Sequence, residues 1–139
     1  MLEDWDQLLD AVALVESNNK SHAVNPKSGA LGMYQFMPDT YKEVAGQLGI
    51  QPEAQDPFNP AQARAVARSY LNTLWLMFGK KIDLMLAAYN WGLGNVLRKV
   101  RETGVYDWEQ IKFSSPMETQ LYVKKVLEAY NRRQDVGPA

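Results

Sequence analysis

Glycine and proline stand along this chain at intervals that leave room for short helices and little else. Pro38, Gly49, Pro60, Gly79, Gly92, Gly104 and Pro116 punctuate it. Between them, apolar residues recur at three-and-four spacing instead of alternating. Proline is tolerated in a first turn and glycine is favoured just past a last one. The pattern therefore predicts helices over 4–17, from Pro38-Asp39-Thr40 to Gly49, from Asn59-Pro60 to Gly79, over 82–90 and over 95–102. A last helix opens at Ser115-Pro116 and runs to about Arg132. The helix after Pro60, carrying Leu71, Leu74, Trp75 and Phe78, reads as the central buried one. Residues 50–60 form a Pro-rich connector, 91–94 a turn and 133–139 a fraying tail. No segment reads as a strand. With no repeat, low-complexity tract or dividing linker, the expectation is one all-α domain over 1–139.

At 139 residues the chain can bury roughly two thirds of its unfolded surface without a staple. Its 46% hydrophobic and 22% charged residues are those of an ordinary soluble domain, and a net charge of -1 provides no general field for nucleic acid. The longest apolar runs, 11–15 and 84–89, are too short to span a bilayer. The acidic start, Met1-Leu2-Glu3-Asp4-Trp5-Asp6, lacks the order of a secretory signal. Zero Cys excludes thiolate chemistry. The one His, His22, has no partner at metal-ligand spacing and reads as a surface loop residue.

Within 4–17 the apolar stripe is Trp5, Leu8, Leu9, Val12 and Val15, and Glu16 falls four after Val12 on the same face. Two readings are open. A helix-end acid commonly turns to water. Alternatively, the helix dipole and the apolar wall raise its pKa, giving a carboxylic acid able to protonate a leaving group.

Two glycine-bearing segments differ from ordinary connectors. In Ser28-Gly29-Ala30-Leu31-Gly32-Met33-Tyr34-Gln35-Phe36-Met37, glycines that permit close backbone approach alternate with large side chains. There Tyr34 and Phe36 offer ring faces and Gln35 a donor–acceptor pair for an amide-bearing sugar. Ala88-Tyr89-Asn90-Trp91-Gly92-Leu93-Gly94-Asn95-Val96 would make an opposite wall. The competing reading makes Phe36, Tyr89 and Trp91 core residues and the glycines helix caps. Neither segment is a phosphate loop, since no strand precedes and no Lys-Ser/Thr follows.

Glu16-Ser17, the segment from Gly29 to Thr40, the segment from Ala88 to Val96 and Glu118-Thr119-Gln120-Leu121-Tyr122-Val123 together resemble, in order, the soluble lytic transglycosylase (SLT) domain family. The resemblance implies a goose-type lysozyme-like fold of six or so helices around a groove for peptidoglycan glycan strands, with Glu16 as catalytic acid and then base. It implies cleavage between N-acetylmuramic acid and N-acetylglucosamine, with the substrate's acetamide replacing a second carboxylate and its 6-hydroxyl closing a 1,6-anhydro ring. No metal or organic cofactor is required. A hydrolytic muramidase using a second acid such as Asp39, Glu43 or Asp56, and an inactive virion or wall-binding module, are the alternatives.

By the same resemblance Gln35 and Met37 line the groove, Tyr89 and Asn90 lie near the acetamide, and Glu118 with Tyr122 holds groups around the site. A capping box with Ser115 would equally explain Glu118. Asn25 stands where the family often has a Ser that polarises the acetamide, one residue farther from Gln35, and Trp91 replaces a small residue. The expected partner is peptidoglycan, met by a monomer that neither binds nucleic acid nor inserts in a membrane. Without a signal peptide or extra domain, the chain would reach the periplasmic wall as a phage virion or lysis protein, an endolysin, or as a domain of a larger protein.

Overall fold

Helix boundaries in the computed structural model, which describes residues 4–136, follow the glycine and proline punctuation. The first three residues of the acidic start, 1–3, and the last three of the expected tail, 137–139, lie outside the described residues. The helices are α1 (Trp5–Ser17), α2 (Pro38–Gln47), α3 (Pro60–Met77), α4 (Ile82–Trp91), α5 (Leu93–Thr103), α6 (Trp108–Ile111) and α7 (Met117–Val136), with short 3-10 turns at Pro52–Ala54 and Lys112–Ser114. Among the described residues there is no strand beyond the isolated bridges Val24–Leu31 and Leu31–Phe36. No described helix is long and apolar enough to cross a membrane.

Chain contacts divide the protein into two units, one of Leu8–Tyr70 and one made of the chain before Leu8 and from Leu71 onward. In the first, α1 buries Leu8, Leu9 and Val12, and α2 buries Tyr41, Val44 and Ala45. Phe36 packs edge-on against Tyr41, ring centroids 5.4 Å apart, and tilts against Tyr70 at 6.0 Å. Gln62, in the first turn of α3, ties the Pro-rich connector to α2. Its Oε1 accepts from the Tyr41 hydroxyl (2.7 Å) and the Asp56 N–H (2.6 Å), and its Nε2 donates to the Ala54 carbonyl (3.0 Å). Asn59 caps α3 by accepting the Gln62 N–H at 3.0 Å.

In the second unit α4 packs on α5 and α7. It buries Leu84, Met85, Leu86, Ala87 and Ala88 in succession, so α4, not α3, is the helix enclosed all round. A helix with no polar face must be covered on every side. α7 contributes Tyr122, Val123, Val126, Ala129 and Tyr130, and α6 contributes Trp108 and Ile111. Trp5 meets Trp75 edge to face at 6.1 Å, with the Lys80 ammonium 5.7 Å from the Trp75 ring centre.

Several boundaries differ from the sequence expectation for local reasons. α4 continues through Trp91 and α5 begins at Leu93, because Gly92 alone, at φ 108 and ψ 138, makes the corner expected to take four residues. α7 continues to Val136, through half of the expected tail. α6 lies in the stretch 105–114, for which the sequence predicts no element, since a four-residue helix shows no periodicity; Asp107 caps it by accepting the Glu109 N–H at 3.0 Å.

Candidate functional site

Glu16 occupies the last turn of α1, half-buried, and no basic residue shares that turn. Two consecutive asparagines stop the helix there. Asn18 and Asn19 take left-handed backbone, φ 55 and 64, which Asn adopts more readily than most side chains. Their N–H groups cover the carbonyls of Leu14 (2.9 Å) and Ala13 (3.3 Å) that the helix end leaves open.

Ser17 then joins this helix end to the glycine loop. Its hydroxyl lies 2.8 Å from the Met33 carbonyl and 3.2 Å from the Ala13 carbonyl, and it accepts the Lys20 N–H at 3.2 Å. The shorter contact, to Met33, fixes the loop beside the residue that follows Glu16. The loop itself is two tight turns in series. In the first, the Asn25 N–H donates to Ala30 and the Gly29 N–H to Asn25; in the second, Leu31 and Phe36 exchange N–H···O bonds of 2.8 and 3.0 Å. Gly32, at φ 81, passes so near Pro57 that a Cβ would stand 2.2 Å from its carbonyl oxygen. The close backbone approach read from the glycine pattern is therefore made to the chain's own connector.

The expected site residues of this unit divide into exposed and internal ones. Met37 is 46% exposed at the start of α2. Gln35 is half-buried with φ 51, and its side-chain amide donates to the carbonyls of Gly32 (2.8 Å) and Ala23 (3.3 Å), so both amide protons hold the loop. Asn25 is exposed, but its Oδ1 accepts the N–H groups of Lys27 (2.9 Å) and Ser28 (3.2 Å), shaping the first turn. Tyr34 departs from the expectation. It is 0% exposed, and Phe36 only 4%, so neither offers a face to a ligand; both are core residues. The Tyr34 hydroxyl instead accepts from Arg64 Nη1 at 3.1 Å, and the same nitrogen meets Asp10 Oδ1 at 2.9 Å. Sequence reading assigned no role to Arg64 or Asp10, because 54 positions separate them and no local pattern links them. His22 is an exposed loop residue as expected, stacked on Phe58 at 5.4 Å and bonded to Ser21 Oγ.

In the other unit, Tyr89 and Asn90 are half-buried in the last turn of α4. Glu118 is exposed in the first turn of α7, and Tyr122, one turn later, is buried. The capping box does not form. Ser115 turns its hydroxyl back to the Lys112 carbonyl, and its own carbonyl accepts from Gln120 Nε2 at 3.2 Å. Capping thus no longer accounts for a Glu at 118.

The description "Transglycosylase SLT domain" fits residues 1–111, which include every site residue named above except Glu118 and Tyr122. The chain is 41% identical, over 64 residues, to a probable transglycosylase SceD of Staphylococcus epidermidis, a match covering 45% of this chain and 28% of that protein. Among solved structures, the 70-kDa soluble lytic transglycosylase of Escherichia coli superposes with a TM-score of 0.80 at 30% identity, covering 97% of this chain and 22% of that one. An inactive glutamate-to-glutamine mutant of the lytic transglycosylase Slt of Pseudomonas aeruginosa gives 0.77 at 28% identity, covering 89% and 20%. The 70-kDa enzyme in complex with bulgecin A gives 0.79 at 28%, covering 98% and 23%. The chain thus spans less than a third of the length of each of these proteins.

Proposed function

We propose that this chain, which belongs to the transglycosylase SLT domain family, cleaves the β-1,4 bond between N-acetylmuramic acid and N-acetylglucosamine in peptidoglycan by lytic transglycosylation. The observation that carries the reading is the Ser17–Met33 bond, which holds the helix end bearing Glu16 against the glycine loop as one piece. The inactivity of the Pseudomonas aeruginosa relative as a glutamate-to-glutamine mutant supports a glutamate in the leading role.

A protonated Glu16 gives its proton to the glycosidic oxygen as the bond to the muramyl anomeric carbon breaks. The muramyl acetamide oxygen bonds to that carbon, forming an oxazolinium and replacing the second carboxylate that most glycosidases use. Glu16, now a carboxylate, takes the proton of the muramyl 6-hydroxyl. The 6-oxygen bonds to the anomeric carbon and expels the acetamide oxygen, leaving a 1,6-anhydro end. Glu16 is protonated again and no water is consumed. An intramolecular nucleophile has its translational entropy already spent, which favours ring closure over attack by a free water. Gln35 and Met37 on the loop, and Tyr89, Asn90 and Glu118 on their motifs, are assigned to sugar binding; Tyr122, buried like Tyr34, is assigned to the core of its unit. The site of action is accordingly the bacterial cell wall.

Glu16→Gln keeps the shape and removes the exchangeable proton, so cleavage of purified cell wall should fall by a factor of roughly 10² to 10⁴. Mass spectrometry of the parent's digest should show muropeptides one water lighter than reducing-end products. Reducing ends alone would assign the hydrolytic chemistry instead, and a Glu16→Gln protein as fast as the parent would remove Glu16 from the mechanism.

A further inference from the structure

Arg64 joins the loop beside Glu16 to the body of α1. Its Nη1 donates to Asp10 Oδ1 (2.9 Å), on the same helix as Glu16, and to the Tyr34 hydroxyl (3.1 Å), inside the glycine loop. Tyr34 has no exposed surface, so its hydroxyl must find its partner within the protein. The next residue in each direction is part of the candidate site: the Met33 carbonyl accepts from Ser17, and Gln35 braces the turn through Gly32 and Ala23. The loop is therefore tied to α1 at two points, at the helix end through Ser17 and one to two turns earlier through Arg64 and Asp10.

Two ties constrain what one does not. The Ser17–Met33 bond fixes one point of the loop against α1, and one point does not set the angle between them. The second attachment, through the neighbouring residue to a different turn of the helix, sets that angle. Asp10 and Arg64 are each more than a third exposed. Such a solvent-accessible ion pair adds little to stability. Its consequence is geometric.

We infer that Arg64, bridging Asp10 and Tyr34, is a positioning residue that sets the glycine loop's register against Glu16. The inference rests on the function proposed above for its effect on catalysis, but not for its effect on the loop. Misplacement of a reacting group by about 1 Å can cost two orders of magnitude in rate. Loss of one of two tethers should therefore lower turnover by about tenfold with little effect on substrate binding.

The test uses Tyr34→Phe, which keeps the buried ring and deletes the hydroxyl, together with Arg64→Met and Asp10→Asn. On purified cell wall, each variant should lose about tenfold in kcat with KM within about twofold of the parent. Tyr34→Phe combined with Asp10→Asn should lose no more than the larger single effect, because both cut one chain of bonds. Arg64→Lys, which retains a cation able to donate to both partners, should recover part of the loss. Amide hydrogen exchange provides a readout independent of catalysis: Gln35 and Phe36 should exchange faster in Tyr34→Phe and Arg64→Met while α2 is unchanged. Unaltered exchange overturns the tether. Faster exchange with parental kcat overturns its role in positioning, as do strictly additive losses in the double variant. Should the parent itself fail to cleave cell wall, the proposed function fails, and the exchange measurement alone decides the tether.

Discussion

A methyl group in place of a hydrogen at Gly32 would put carbon 2.2 Å from the Pro57 carbonyl oxygen, on a backbone at φ 81 that L residues rarely adopt. Neither the left-handed backbone nor the rigid carbonyl can yield cheaply, so Gly32→Ala should cost about 2–5 kcal/mol in urea unfolding and abolish cell-wall cleavage. Gly29 has a similar φ of 84 but open space around it, and Gly29→Ala should cost only about 1–2 kcal/mol. Equal losses at the two positions would show that strain, not contact, governs the loop. Spacing in the sequence singled out both glycines as unusual but could not say what approaches Gly32, because its neighbour comes from a connector 25 positions away. Tyr34 was misread as a ligand face for a related reason: an aromatic in a glycine-rich loop looks the same in sequence whether it turns outward or inward, and the cation that holds it inward sits on α3.

At the scale of elements, the link between α2, the connector and α3 carries a titration. Tyr41 is 2% exposed, and burial together with the nearby Asp56 charge raises its hydroxyl from 10.0 to about 12. Burial also raises Tyr70, helped by the charge of Glu43. From pH 10 to 12 the unfolded chain gives up its Tyr41 proton while the folded chain keeps it. The folded state's advantage is therefore fully present below pH 10 and is lost as pH rises to 12, by about 3 kcal/mol for Tyr41. Tyr41→Phe should be less stable than the parent at pH 7, since the bond to Gln62 is gone. It should also lose less stability between pH 10 and 12. Parallel curves in denaturant titrations across that range would refute the assignment. Element limits were legible wherever a cap or a stop residue marks them, as at Asn59, Gly79 and Gly104, because capping is local chemistry. The expectation fails at Gly92, where one residue makes the whole corner, and at the Ser115 cap, whose hydroxyl turns back to Lys112; it is silent on α6, which is too short to show a period.

Over the whole molecule, the family match ends at residue 111, yet packing of the second unit does not end there. α7 buries Thr119, Tyr122, Val123, Val126, Ala129 and Tyr130, and α4, the helix it packs on, has no polar face in the run from Leu84 to Ala88. Removing α7 would forgo the burial of its own apolar side chains, worth roughly 1–3 kcal/mol apiece, and would also bare one side of α4. The combined loss is on the order of 10 kcal/mol, comparable with the whole net stability of a domain this size, about 5–15 kcal/mol. Glu118-Thr119-Gln120-Leu121-Tyr122 therefore belongs to a helix that the fold needs whatever its part in binding sugar. A fragment of residues 1–111 should show no cooperative thermal transition by circular dichroism and should bind a hydrophobic dye, whereas the full chain melts in one step. A fragment that unfolds cooperatively within a few degrees of the full chain would show that α4 finds its cover without α7.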